Sequence, residues 1–168
     1  MLLWFAGGSF LAVWLVFRDP AIDHRLVMAG AVLPDVVDLP TGGPWLGHTV
    51  GASVVLLLGI MLATTGRRLL RRQLLAVPIG TFLHLVLDGA WTDTDTFWWP
   101  AFGTELGGGR LPSLERGALT LVLEVVGLAI LVWAYRRFRL DEPERRAHFL
   151  TSGRLGRDLV GGPEGGGR

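Results

Sequence analysis

The sequence predicts an all-α integral membrane protein, a bundle of about four transmembrane helices with one further short helix. Three observations predict it. Half of the 168 residues are hydrophobic, only 18% are charged, and mean hydropathy is +0.43, whereas a soluble domain of this length carries roughly a quarter charged residues. Four apolar runs approach or reach the roughly 17–25 residues that a bilayer crossing needs. Arginine clusters mark alternating ends of those runs.

The runs cover residues 1–17, 50–65, 74–91 and 117–135. The first has no basic segment before it and no small-residue cleavage site before Arg18, so it reads as an uncleaved helix rather than a secretory signal. Residues 25–38 are apolar but short and end in Pro34, Asp35 and Asp38, which predicts a helix lying at the surface or dipping partway in. Short cytoplasmic loops retain positive charge. The loop with Arg67, Arg68, Arg71 and Arg72, and the end of the last run with Arg136, Arg137 and Arg139, are therefore placed inside. Alternation then puts the N-terminus inside and residues 18–49 and 92–116 outside, with Arg18 and Arg25 as the exceptions. The membrane domain spans residues 1–140; residues 141–168, polar and then glycine-rich, read as a disordered cytoplasmic tail. The arrangement is that of a multi-pass protein of a bacterial-type cytoplasmic (inner) membrane.

Composition excludes several chemistries. All 16 basic residues are Arg, and without Lys there is no Schiff base and no P-loop. Without Cys there is no disulfide, thiol nucleophile or thiolate-held metal. A net charge of +1 lacks the footprint of a nucleic-acid binder.

Ionisable groups set in apolar sequence mark the candidate site. Asp35 and Asp38 lie in LPDVVD, His48 in WLGHTV, and His84 and Asp88 in FLHLVLDGAW. His84 and Asp88, four apart, share one helical face. In the expected topology all five converge on the extracytoplasmic side. Imidazole and carboxylate ligands suit zinc, manganese or a similar divalent ion. Each residue also has an ordinary reading: Asp35 as a cap or turn, His48 as an interfacial polar group, His84 and Asp88 as a pair that satisfies itself. Burying ionisable groups in a membrane is costly, which favours function. Glu124 must face the bundle or a basic partner, His24 reads as an exposed loop residue, and the run holding Asp93 and Asp95 lacks the Gly and Glu of a calcium loop. Trp91, Trp98 and Trp99 form an interfacial belt, and His148 lies too far along the tail to join the site.

From residue 25 to residue 103 these strings resemble the YdjM-like family of membrane-bound metal-dependent hydrolases, also known as domain of unknown function 457. LPDVVD is similar to its LPD-plus-Asp box, GHT at residues 47–49 to its THS box, and GTFLHLVLDGAW to its G-x-x-x-H-x-x-x-D box. The resemblance implies metal-site roles for Asp35, His48, His84 and Asp88, with Asp38 beside them. The family itself resembles the all-helical zinc-dependent phospholipases C and related nucleases, which implies phosphodiester substrates. At a membrane surface these are lipids or lipid-linked intermediates, with Arg25, Arg110 and Arg116 as candidate phosphate partners. The competing expectation is a non-catalytic membrane scaffold in which the same His and Asp residues hold helices together.

Overall fold

A computed structural model describes residues 1–101 and 117–156, and among them every regular element is helical. In chain order these are α1 (Leu2–Phe17), α2 (His24–Asp38), α3 (Val50–Ala63), α4 (Arg68–Leu74), α5 (Ala76–Leu87), α6 (Thr94–Phe97), α7 (Ala118–Arg137) and α8 (Pro143–Ser152). Among the described residues two segments are long and apolar enough to cross a membrane: Arg68–Leu87, which is α4 and α5 taken together, and Ala118–Arg137. Helices α1 and α3 are apolar but shorter, at 16 and 14 residues.

Local chemistry sets the boundaries. The Asp23 carboxylate accepts the backbone N–H groups of Arg25 and Leu26 and starts α2, and Thr49 Oγ1 accepts that of Ala52 and starts α3. Pro78, three residues into α5, has no N–H to give Leu74, and the helix is interrupted one residue later, at Leu75. Pro34 sits inside α2 and likewise leaves the Gly30 carbonyl without its helical partner. Thr81 Oγ1 of α5 takes that carbonyl at 3.3 Å.

Two glycine crossings bring the backbones together. A Cβ on Gly7 of α1 would stand 2.6 Å from the carbonyl oxygen of Gly127 in α7. A Cβ on Gly30 would strike the Val77 carbonyl, and one on Gly80 the Val27 carbonyl, so α2 and α5 touch main chain to main chain. Small residues permit this approach, which membrane helices use in place of a hydrophobic driving force.

The order of contacts gives the directions. Leu3 meets Glu124, Gly7 meets Gly127 and Trp14 meets Phe138, so α1 and α7 run parallel. Gly8 and Trp4 meet Leu87, while Val13 packs with Ala76, so α5 runs the other way. Helix α2 is parallel to α5, with Val27 beside Ala76 and Ala31 beside His84. These directions correct the expected topology. Residues 25–38, expected at the surface or dipping partway in, form a helix that runs the length of the bundle against α5, and α1 points opposite to the direction that alternation of the four runs gives it. Arg18 and Arg25 thereby join Arg67, Arg68, Arg71, Arg72, Arg136, Arg137 and Arg139 at one end, tied there by an Arg72–Asp19 ion pair at 3.1 Å.

The chain from residue 141 also departs from expectation as far as residue 156. Pro143 opens α8, Gly153 ends it in the left-handed conformation, and Leu155 is buried against Phe10, Ala134 and Phe138. The Gly153 carbonyl accepts His24 N–H at 2.9 Å, and Leu155 N–H donates to the Pro20 carbonyl at 3.0 Å. One apolar anchor and these main-chain bonds supply the order that polar composition alone did not predict.

Candidate metal centre

The opposite end of the bundle gathers the His and Asp residues. Asp35 and Asp38 come from the last turns of α2, His48 from the short helical turn Leu46–His48 before α3, His84 from α5, and Asp88 from the residue that ends α5. His84, Asp38, Asp88 and His48 are 0–2% exposed. The Asp35 side chain, at 18%, is the one of the five that reaches the surface.

Each imidazole is held through Nδ1. His84 Nδ1 lies 2.7 Å from the Ala31 carbonyl oxygen. A carbonyl only accepts, so the proton is on Nδ1 and Nε2 carries a lone pair. His48 Nδ1 lies 2.7 Å from Asp38 Oδ2, and the same carboxylate accepts Trp45 N–H at 2.7 Å and Gly47 N–H at 2.9 Å. Asp38 therefore fixes both the His48 ring and the turn that carries it. The Phe5 ring, 4.0 Å from the His84 ring between centroids, closes the apolar side.

The free edges of both rings face one point. His48 Nε2 and His84 Nε2 are 3.3 Å apart, each is 3.7 Å from Asp35 Oδ1, and His48 Nε2 is 3.7 Å from Asp88 Oδ2. One ligand atom from each of Asp35, His48 and His84 can be chosen so that all lie within 4.8 Å of one another. Asp35 Oδ1 is buried without a hydrogen-bond donor. Two nitrogens bound about 2.0–2.1 Å from one tetrahedral ion stand about 3.3–3.4 Å apart, so the donor set fits a divalent cation. Two neutral imidazole lone pairs facing each other beside carboxylates repel unless something positive lies between them.

Of the other sequence candidates, Arg25 lies at the wrong end of the bundle. It starts α2, about 15 Å of helix rise from Asp35, and its guanidinium binds Asp23 at 2.9 Å and the Leu150 carbonyl. Arg110 and Arg116 lie outside the described residues. His24 is fully buried rather than exposed, at the arginine end of α2. Glu124 Oε2 accepts Leu3 N–H at 3.0 Å and so caps α1 instead of joining the site. Asp93 caps α6 through Thr96 N–H and Oγ1.

Sequence reasoning missed the Ala31 carbonyl and the Phe5 ring. Pro34 signals only a free carbonyl at Gly30, which Thr81 takes, and nothing in the sequence singles out the Ala31 carbonyl or Phe5 among their neighbours. No family model, no curated protein and no solved structure matches this chain.

Proposed function

We propose that the chain is a membrane-embedded, metal-dependent hydrolase of phosphodiester bonds in lipid-type substrates. Asp35, His48, His84 and Asp88 hold a divalent ion such as zinc or manganese, and Asp38 orients His48. The observation that carries this reading is the 3.3 Å approach of two Nε2 atoms whose Nδ1 partners are both acceptors. Bound there, the ion would supply a Lewis acid and lower the pKa of a water molecule. The protein's own share is orientation and exclusion of water. Ala31 and Asp38 lock the two rings, Phe5 screens His84 from the apolar side, and Asp35, the exposed member, faces the route by which a headgroup and water arrive. This is the family resemblance carried forward as a reading of the site.

The membrane setting is part of the proposal. Helix α7 presents Leu121, Val122 and Val125 at 70%, 55% and 66% exposure, an apolar surface that water does not favour. Helices α1, α3, α4 with α5, and α7 are four passes, with α2 a fifth among them. The arginine end faces the cytoplasm, and the His/Asp end faces outward.

A second reading rests on the same contact. With a second proton on Nε2, His48 donates to His84 and pairs with Asp38, and the cluster is then a structural element of a scaffold. Metal analysis of purified protein beside His84→Ala and Asp88→Ala separates the two. The hydrolase reading expects stoichiometric divalent metal in wild type and little in the variants, together with headgroup release from phospholipids that Asp88→Ala abolishes. Equal, negligible metal in all three samples supports the scaffold.

A further inference from the structure

An open apolar groove of about 400 Å³ runs between α1, α3 and α5, lined by Val13, Val16, Ser53, Leu57, Ile79 and Phe82. Its one hydroxyl is Ser53. That side chain is buried at 5% exposure and its Oγ has no hydrogen-bond partner. Buried helical Ser and Thr normally bond back to a carbonyl three or four residues earlier. Here Ser9 bonds to Ala6, Thr64 to Ile60 and Thr81 to Val77, whereas Ser53 makes no such bond. A buried hydroxyl left without a partner in an apolar wall is unfavourable.

We infer that this groove seats one acyl chain of an ester-linked glycerolipid, with the Ser53 hydroxyl donating to the ester carbonyl. The inference rests on the reading of the His/Asp cluster as the headgroup site, and it specifies the substrate class of that site. Three observations favour this occupant. The groove begins near the site: its hydroxyl, on Ser53, is one helical turn, about 6 Å of rise, beyond Thr49, which follows His48. No ionisable side chain lines it, so it offers nothing to a charged segment, and its volume is small for a helix about 10–12 Å across from a second copy. A lone donor in an otherwise apolar wall matches a chain with one acceptor near its head. A prenyl phosphate carries acceptors only on the phosphate, which the His/Asp site would hold, so an acyl ester offers Ser53 a separate partner that a prenyl chain lacks.

The test uses full-length protein in detergent with a phosphatidylglycerol bearing a photoreactive diazirine in its acyl chain, and crosslinks are mapped by peptide mass spectrometry. Labelling is expected on Leu57, Ile79 and Phe82 in preference to the α7 face at Leu121 and Val125. Diester phosphatidylglycerol should compete more strongly than its diether analogue or undecaprenyl phosphate. Ser53→Ala should weaken groove labelling about threefold to tenfold, the span of one hydrogen bond, and Leu57→Trp, which fills the groove, should remove it. Equal labelling of groove and α7, or equal competition by ester and ether lipids, overturns the inference. His84→Ala distinguishes the two proposals: it should strip metal while leaving groove labelling in place. Groove labelling in a protein that never binds metal would refute the hydrolase reading alone, and full metal with unselective labelling would refute the acyl groove alone.

Discussion

Asp38 Oδ2 and His48 Nδ1 lie 2.7 Å apart, and the same carboxylate binds the Trp45 and Gly47 N–H groups. One side chain thus sets the position of the turn before α3 and the direction in which His48 presents Nε2. A carboxylate behind a ligating imidazole raises its basicity and fixes its tautomer, and losing it typically lowers metal affinity about 10–100-fold. Asp38→Asn should therefore weaken zinc binding by about that factor, measured by competition with a chelating dye. His84→Ala, which removes a proposed ligand outright, should cost more. Equal effects of the two substitutions would mean that Asp38 does not act through His48.

The glycine crossings make a stability prediction with a built-in control. Gly30→Ala or Gly80→Ala forces a methyl into the carbonyl of the facing helix, and overpacking of that kind costs about 1–3 kcal/mol. Gly59, exposed on α3, has nothing within 4 Å of a built Cβ, so Gly59→Ala should raise helix stability by about 0.5–1 kcal/mol. Thermal unfolding in one detergent should give lowered midpoints for the first two and an unchanged or raised one for the third.

Helical class and the His/Asp set were legible in the sequence because each shows itself locally, in apolar runs and in ionisable residues that such runs rarely hold. Direction was not. Residues 25–38 are too short to read as a crossing, yet Gly30 and Gly80 let α2 run the length of the bundle against α5, and that one extra traverse reverses the direction of α1. Arg18 and Arg25 were the legible warning, since they were the charges that the expected orientation could not place. The order of residues 141–156 was hidden for another reason: it depends on Leu155 finding Phe10 and Phe138, a contact across most of the chain that no local pattern encodes.

Docking of residues 141–156 should respond to acid through Asp23. Burial works against its charge, but hydrogen bonds from Arg25, Gln73 and the Leu26 N–H prevail and hold its carboxyl below the usual carboxylate range. Its contribution is therefore complete above the ordinary Asp value of about 4 and fades as pH falls through the lowered folded value. Asp23 braces Arg25, which grips the Leu150 carbonyl, and Gly153 closes against the Asp23 carboxylate. At neutral pH, Asp23→Asn should expose Arg145, Arg146 and Arg154 to trypsin faster than in wild type. Identical cleavage rates would show that Leu155 and the main-chain bonds to His24 and Pro20 hold the segment without Asp23.

The topology itself is open to direct test because the chain has no Cys and single introduced cysteines report without background. Gly42, in the loop between α2 and α3, and Gly66, between α3 and α4, are both exposed with nothing within 4 Å of a built Cβ; both are left-handed, at φ 71° and 79°, so Cys costs each about the same small backbone strain, and they stand at opposite ends of the bundle. Arginine is retained on the cytoplasmic side, so in intact cells a membrane-impermeant maleimide should label Gly42→Cys and leave Gly66→Cys unlabelled until the membrane is opened. Leu2→Cys, at the start of α1, adds the discriminating measurement. Parallel packing of α1 with α7 places it with Gly42 at the His/Asp end, whereas simple alternation of four passes would place it with Gly66. Labelling of Leu2→Cys together with Gly66→Cys would refute the five-pass arrangement, and labelling of Gly66→Cys alone from outside would invert the proposed orientation of the site.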